Sequence, residues 1–387
     1  MRRQQMKKLK PILIIVVAVV AALVISRWIN DDSGVSSSKP TVPTQVQTNR
    51  SADYYRQLTE NQKRIYDALL PAVMDGDSTV SVDGIDFSTV RNDMTMVGEA
   101  FENDHPELFW FRQFRKAAKY SDRVEFTIMY YSYKTSFFDT GDKYDELMAA
   151  VNALADQARD HSPDLYEQAV YVHDHIIKNA YYDKEALADY ENTIHDPASE
   201  YIFSAYGCLV RGQTVCAGYA KAYQLVMEAL GAQCSYACGY ANGGRHAWNL
   251  LYLNDEHYFV DITWDDYDLD KEIPSYNYAF ITEEALSRTH ELEKLFDMPL
   301  CDDETYQYYR YHGYYADTYD FDSVSQILSP QADNDAAYIQ FGSAMDFNNA
   351  RQELFKSGKI YKIPGYSGKK LKFISNTKHN AFMIYPQ

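Results

Sequence analysis

Positive charge is scarce in this chain of 387 residues: 37 Lys and Arg stand against 55 Asp and Glu, for a formal net charge of −18. A surface this acidic repels phosphate backbones, which argues against a nucleic-acid partner. Cysteine is scarce as well, with five in all: Cys208, Cys216, Cys234, Cys238 and Cys301. An odd number leaves at least one thiol free or paired with another chain. Cys234 and Cys238 cannot pair with each other on one strand, because four residues at ~3.3 Å each separate them by about 13 Å, while a disulfide needs Cα atoms within ~7 Å. Neither Cys-x-x-Cys nor histidine-rich spacing marks zinc, and no EF-hand loop marks calcium, so no cofactor or metal is expected. No internal repeat of fixed period is present. Apolar residues, by contrast, make up 46% of the chain, enough for a packed core and too many for a disordered protein. The 35 tyrosines suit half-buried strands and polar-tipped surfaces but name no activity.

At ~100–200 residues per domain, the length predicts two or three domains. Residues 1–10 form a basic tail with Arg2, Arg3, Lys7, Lys8 and Lys10. Residues 11–29 are an apolar run of spanning length, given that a membrane helix needs roughly 17–25 residues. The basic flank would stay inside and the rest of the chain outside. The run reads as an uncleaved single-pass signal anchor in the cell membrane. The alternative is a cleaved signal peptide and a secreted product, although Ser26-Arg27-Trp28 offers no small-x-small cleavage site. Residues 30–50, rich in Ser, Pro, Thr and Gln, read as a flexible linker.

Residues 51–160 form an N-terminal mixed α/β subdomain. It has a helix at "LTENQKRIYDALLPAV" with Thr59 as possible cap, a strand at "RVEFTIMYYSY" and a second helix at "KYDELMAAVNALADQA". Residues 161–300 open at Ser162-Pro163, a cap followed by a first helical position. The helix "DLYEQAVYVHDHIIKNAYYD" leads to the helix "CAGYAKAYQLVMEALG", then to strands at "QCSYACGYA", "HAWNLLYL" and "HYFVDITW". A helix followed by an antiparallel meander predicts an α+β core. Residues 301–387 form a C-terminal α/β subdomain. Its tail from about Asp320 reads as a small β-α-β-β unit that could bind a partner or substrate.

Cys216, Ala220, Tyr223, Met227 and Leu230 fall on one helical face, with Thr214 placed to cap the start and Gly231 to end it. Cys216 therefore sits in the first turn, where free N–H groups and the helix dipole favour a thiolate. A cysteine on such a stripe can equally be plain core. The strands bear on that choice. With Asn254-Asp255 as a two-residue loop, Trp248 faces Asp261 and His246 faces Thr263, making His246 and Asp261 diagonal neighbours. An Asp carboxylate there could orient the imidazole. With Gly243-Gly244 as the preceding loop, His246 faces Ala241, and its face is flanked by Ser235, Ala237, Gly239 and Ala241, all small. A one-residue slip would reverse every face. His257 is a rival base farther along the strand, and Cys208 a rival nucleophile without a helix start behind it. His173 and His175 read as surface or interhelix contacts, and Asp265 and Asp266 as solvated or loop-capping.

"GQTVCAGYAKAYQLVMEALG" followed by "YACGYANGGRHAWNLLYLNDEHYFVDITWDD" resembles the transglutaminase-like superfamily, over about Pro163 to Asp266. Cys at a helix start, a His-x-Trp-Asn strand and a strand ending Val-Asp-x-Thr-Trp appear in that order, and the upstream "HDHIIKNAYYD" is similar too. The sequence is most similar to bacterial surface proteins and the kyphoscoliosis-peptidase-like branch. The resemblance implies a papain-like α+β core whose antiparallel sheet packs on the nucleophile helix. It implies Cys216 as nucleophile, His246 as general base and Asp261 as orienter. Gln213 is an oxyanion candidate, and Trp248, Gly239 and Tyr219 are substrate-cleft candidates. The expected chemistry is acyl transfer from a peptide or protein amide, including cell-wall peptide, through a thioester. Hydrolysis is expected over cross-linking, since no tryptophan matches the upstream oxyanion residue of animal transglutaminases. The alternatives are an amine-accepting transglutaminase and a catalytically idle surface module.

Overall fold

The computed structural model describes residues 53–131, 140–190, 197–267 and 273–387. The tail, apolar run and linker expected over residues 1–50 lie outside the described residues. Among those described, no helix is long and apolar enough to cross a membrane.

Helix α1 (Glu60–Asp75) starts where the sequence places it. Thr59 and Gln62 form a reciprocal capping box, and Gly76 ends the helix in the left-handed conformation. Strand β1 (Thr79–Asp83), helix α2 (Val90–Asp104) and strands β2 (Phe111–Lys119) and β3 (Arg123–Tyr130) follow, the strands pairing in the order β1-β3-β2. Helix α3 (Thr140–His161) leads to α4 (Leu165–Asn179). The cap of α4 is Asp164 rather than Ser162. Asp164 Oδ1 accepts from the N–H groups of Tyr166 and Glu167, while Ser162 Oγ accepts from Asp164 N. The carboxylate serves two of the orphan donors at the helix start, so the helix begins two residues later than the Ser-Pro pair predicts.

Strands β4 (Tyr181–Tyr182) and β5 (Gln213–Thr214) make a short parallel bridge that leads into helix α5 (Cys216–Ala229). Helix α5 is more deeply set than a one-faced helix. Lys221 and Gln224, on its expected polar side, are buried. Lys221 Nζ pairs with Glu102 at 2.7 Å, and Gln224 Nε2 donates to Asn103 O at 3.0 Å, both on α2. Burial of long polar side chains is tolerated because each finds a partner.

The sheet beside α5 is antiparallel, in the order β8-β7-β6-β9, from β6 (Cys234–Ala241), β7 (Gly244–Leu253), β8 (Glu256–Val260) and β9 (His290–Leu292). The β7–β8 turn is Asn254-Asp255 as expected, with Leu253 opposite Glu256. The β6–β7 turn is Asn242-Gly243, not Gly243-Gly244, so His246 faces Gly239 instead of Ala241. Asn242 and Gly243 both have positive φ, at 50° and 79°, as the tight hairpin turns that match strand twist require. The shift is two residues, so every side chain keeps its face. The expected strand through Trp264 stops at Val260. Asp261 caps a short helix, α6 (Ile262–Asp265), by accepting from Trp264 N. Asp261 is therefore not a strand residue paired with Trp248.

Beyond β9, strands β10 (Tyr315–Ala316), β11 (Ala337–Phe341), β12 (Leu371–Asn376) and β13 (Ala381–Pro386) form a sheet in the order β10-β11-β13-β12, with helices α7 (Phe321–Leu328) and α8 (Ala344–Ala350). It has its own core around Val324, Ile339, Phe347 and Phe382. Tyr338 and Met383 instead join the main core, which begins at Tyr54. The described residues fall in one compact unit, Thr41–Gln387.

Candidate active site

Cys216 is the first residue of α5, and no side chain caps that end: Val215 is the cap residue, and the Thr214 hydroxyl is turned to Ile202 O instead. The helix start lies against the 202–204 backbone at Gly218, where a Cβ would come within 2.1 Å of Thr214 Oγ1 and 2.7 Å of Ile202 O. This close approach leaves Cys216 half-buried, with the positive end of the helix behind it.

The three residues read from the sequence meet. Cys216 stands near enough to the His246 ring to help raise its pKa, and the ring's Nε2 lies 2.8 Å from Asp261 Oδ2. With Nε2–H given to the carboxylate, Nδ1 is left for the sulfur. Burial pushes the imidazole pKa down, but the Asp261 charge, its hydrogen bond and Cys216 outweigh it and raise His246 to about 10. Burial likewise pushes Asp261 up, and the two imidazoles of His246 and His290 bring it down to about 2. The buried carboxylate is thus held ionised. The Asn of the His-x-Trp-Asn run ties strand to helix: Asn249 Nδ2 donates to Ala220 O of α5 at 2.9 Å, inside the core.

The cleft candidates fall in different places. Trp248 is 1% exposed and packs beneath the His246 ring, with centroids 5.8 Å apart. Tyr219 is also 1% exposed, its hydroxyl donating to Asp266 Oδ2 at 2.7 Å. Gly239 lies opposite His246 in the sheet, and a Cβ there would meet Glu291 O at 2.0 Å. Its lack of a side chain is what lets the β9 backbone come close beside β6. Gln213 is half-buried in β5, and its Nε2 donates to the Tyr181 hydroxyl at 2.6 Å.

The rivals stand apart. His257 pairs with the Tyr252 ring at the far end of the hairpin. Burial pushes the thiol of Cys208 well above its ordinary value, and burial with the Glu293 carboxylate pushes Cys238 up to about 12; none of the five cysteines is in a disulfide. His173 is not a surface residue. It is 1% exposed and links α4 to α6, with Nδ1 3.0 Å from Asp174 and Nε2 3.4 Å from Asp265. Of the two readings for Asp265, loop-capping holds: it accepts from Ser275 Oγ and from the N–H groups of Asn277 and Tyr278.

One neighbour went unread in the sequence. His290 Nε2 lies 3.0 Å from the same Asp261 Oδ2. His246, Asp261 and His290 set one ligand atom each within 4.8 Å of one another, the grouping among the described residues that could hold a metal ion. Hydrogen bonds of 2.8 and 3.0 Å account for that crowding without an ion.

A cysteine on a helix start, an imidazole and a buried carboxylate in one line of contacts are the parts of a cysteine-dependent enzyme. Residues 152–264 match the family described as the transglutaminase-like superfamily, and this segment is a transglutaminase-like domain with an α+β, papain-like core. A solved structure described as a TGase is 13% identical, with a TM-score of 0.30 over 40% of this chain and 44% of that one. A candidate cysteine protease from Cytophaga hutchinsonii is 16% identical, with a TM-score of 0.24 over 38% and 61%. The chain therefore spans less than two thirds of either. No curated protein matches it.

Proposed function

We propose that Cys216, His246 and Asp261 form a nucleophile–base–orienter triad that transfers acyl groups from peptide or protein amides, with water as the usual acceptor. The observation that carries this reading is the His246 ring, its Nε2 held 2.8 Å from ionised Asp261 and its pKa raised further by Cys216 beside it. His246 takes the Cys216 proton. The thiolate attacks the amide carbonyl, and the C–N bond breaks as His246 returns the proton to the leaving amine. Water, deprotonated by His246, then attacks the thioester, and the C–S bond breaks to release acid and thiolate. The uncapped start of α5 supports the Cys216 N–H as an oxyanion donor. Gln213, already bonded to Tyr181, is a weaker one. Cell-wall peptide outside the membrane fits the sequence-based expectation of an anchor at residues 11–29.

A chloroacetamide probe tests the triad. Cys216 is expected to label selectively and His246→Ala to slow it; faster labelling of Cys208 or Cys301 would sink the assignment. Incubating mixed protein substrates with a labelled primary amine, followed by mass spectrometry, separates the acceptors. Cleaved products support hydrolysis, and amine-tagged glutamines support cross-linking.

A further inference from the structure

We propose that His290 is a positioning residue for the reaction assigned above, holding the Asp261 carboxylate in the orientation from which it fixes the His246 ring. The inference rests on the triad reading. Asp261 is 1% exposed, and three donors hold it. His246 Nε2 and His290 Nε2 converge on Oδ2, and Trp264 N reaches Oδ1 at 3.3 Å. Without His290, the carboxylate keeps the His246 ring that it is to orient and, besides that ring, only the 3.3 Å bond from Trp264 N. His290 is itself fixed. Its Nδ1 lies 2.8 Å from Thr289 Oγ1, and its ring sits among Trp264, Trp248 and Tyr278 at 4.5, 4.9 and 5.5 Å. An ionised carboxylate only accepts, so His290 Nε2 carries the proton that faces Asp261. The ring comes from β9, on the far side of β6 from β7. It meets His246 at 5.3 Å between centroids, across the small residues Gly239, paired with His246, and Ala241, paired with His290. A buried, boxed imidazole that turns its Nε2 donor on the triad carboxylate is placed to orient that carboxylate without touching substrate.

The test compares His290→Phe, which fills the aromatic box without a donor, with His290→Gln, whose amide can reach the same oxygen. The readout is alkylation of Cys216 by iodoacetate across pH. This anion is drawn to the thiolate while His246 carries its proton, so the alkaline limb of the profile reports His246. In full-length His290→Phe that limb is expected to move down by about one pH unit, and the maximal rate to fall roughly tenfold. His290→Gln is expected to restore most of both. An unchanged or raised limb, with only the melting temperature lowered, would make His290 a packing residue and overturn the proposal. Wild-type alkylation that needs zinc and is lost to a chelator would overturn it too. Failure of the triad reading looks different: His246→Ala would then alkylate like wild type.

Discussion

Asp261 concentrates the site's electrostatics in one side chain. It is fully buried and ionised, because two imidazoles lie on its Oδ2. Removing its charge leaves His246 without the partner that outweighs burial. Asp261→Asn is expected to cost about 3–5 kcal/mol of stability, as breaking a buried pair does. The cost depends on pH. His246 is raised from 6.5 to about 10, so its share of the stability is complete below pH 6.5 and disappears as pH rises through about 10. Asp261 is lowered from 3.8 to about 2, so its share is present above 3.8 and disappears as pH falls through about 2. Urea midpoints should show the wild-type advantage over Asp261→Asn widest between these windows. A constant advantage from pH 6 to 10 would contradict the raised imidazole. Cys216, His246 and Asp261 were legible because each sits in a short run with its own local signal: a helix start, a hairpin strand and a strand end. His290 has no such run, since "SRTHELEK" matches no pattern and its meaning comes from β9 pairing with β6.

At the scale of elements, two glycines decide how closely the parts of the site approach. Gly218 lets α5 rest on the 202–204 backbone, and Gly239 lets the β9 backbone come close beside β6. Gly218→Ala forces a methyl onto backbone oxygens that cannot swing aside. It is expected to cost about 1–3 kcal/mol and to slow Cys216 alkylation, whereas Ala217→Gly beside it should leave the alkylation profile's shape unchanged. Calorimetry and alkylation together check this, and a Gly218→Ala protein of wild-type stability would refute the close approach. The hairpin illustrates what a pattern can and cannot read. Alternation fixed which face His246 shares, and the true turn moved the register by two, which preserves faces. The end of β8 was misread because nothing in "VDITW" announces that Asp261 will cap a helix. A capping bond depends on where Trp264 N arrives.

Across the whole molecule, the tail is tied into the rest of the core. Tyr338 donates to Pro274 O at 2.8 Å, and Gln307 bonds Gln340 at 3.1 Å. The His379 ring lies 4.6 Å from Tyr278, one shell from His290. Deleting residues 320–387 is therefore expected to lower the melting temperature and abolish Cys216 alkylation, rather than to alter substrate choice alone. A truncated protein that melts like wild type and still alkylates would return the tail to the role of an independent binding unit. His173 adds a pH dependence that the whole fold shares. Burial lowers its pKa, but Asp174 and Asp265 raise it to about 9, so the α4–α6 link weakens as pH rises from 6.5 through about 9.

By itself, the sequence picked out the three residues proposed as the reactive group. Helix periodicity, a tight-turn signal and strand alternation are local properties, and local rules suffice to set a thiol, an imidazole and a carboxylate on converging elements. The tertiary structure alone decided the rest: a helix buried on nearly every side, Trp248 and Tyr219 sealed in the core, and a second histidine on the Asp261 carboxylate. Those depend on which distant segments come into contact. Burial and long-range hydrogen bonding are properties of that meeting and leave no periodic trace along the chain.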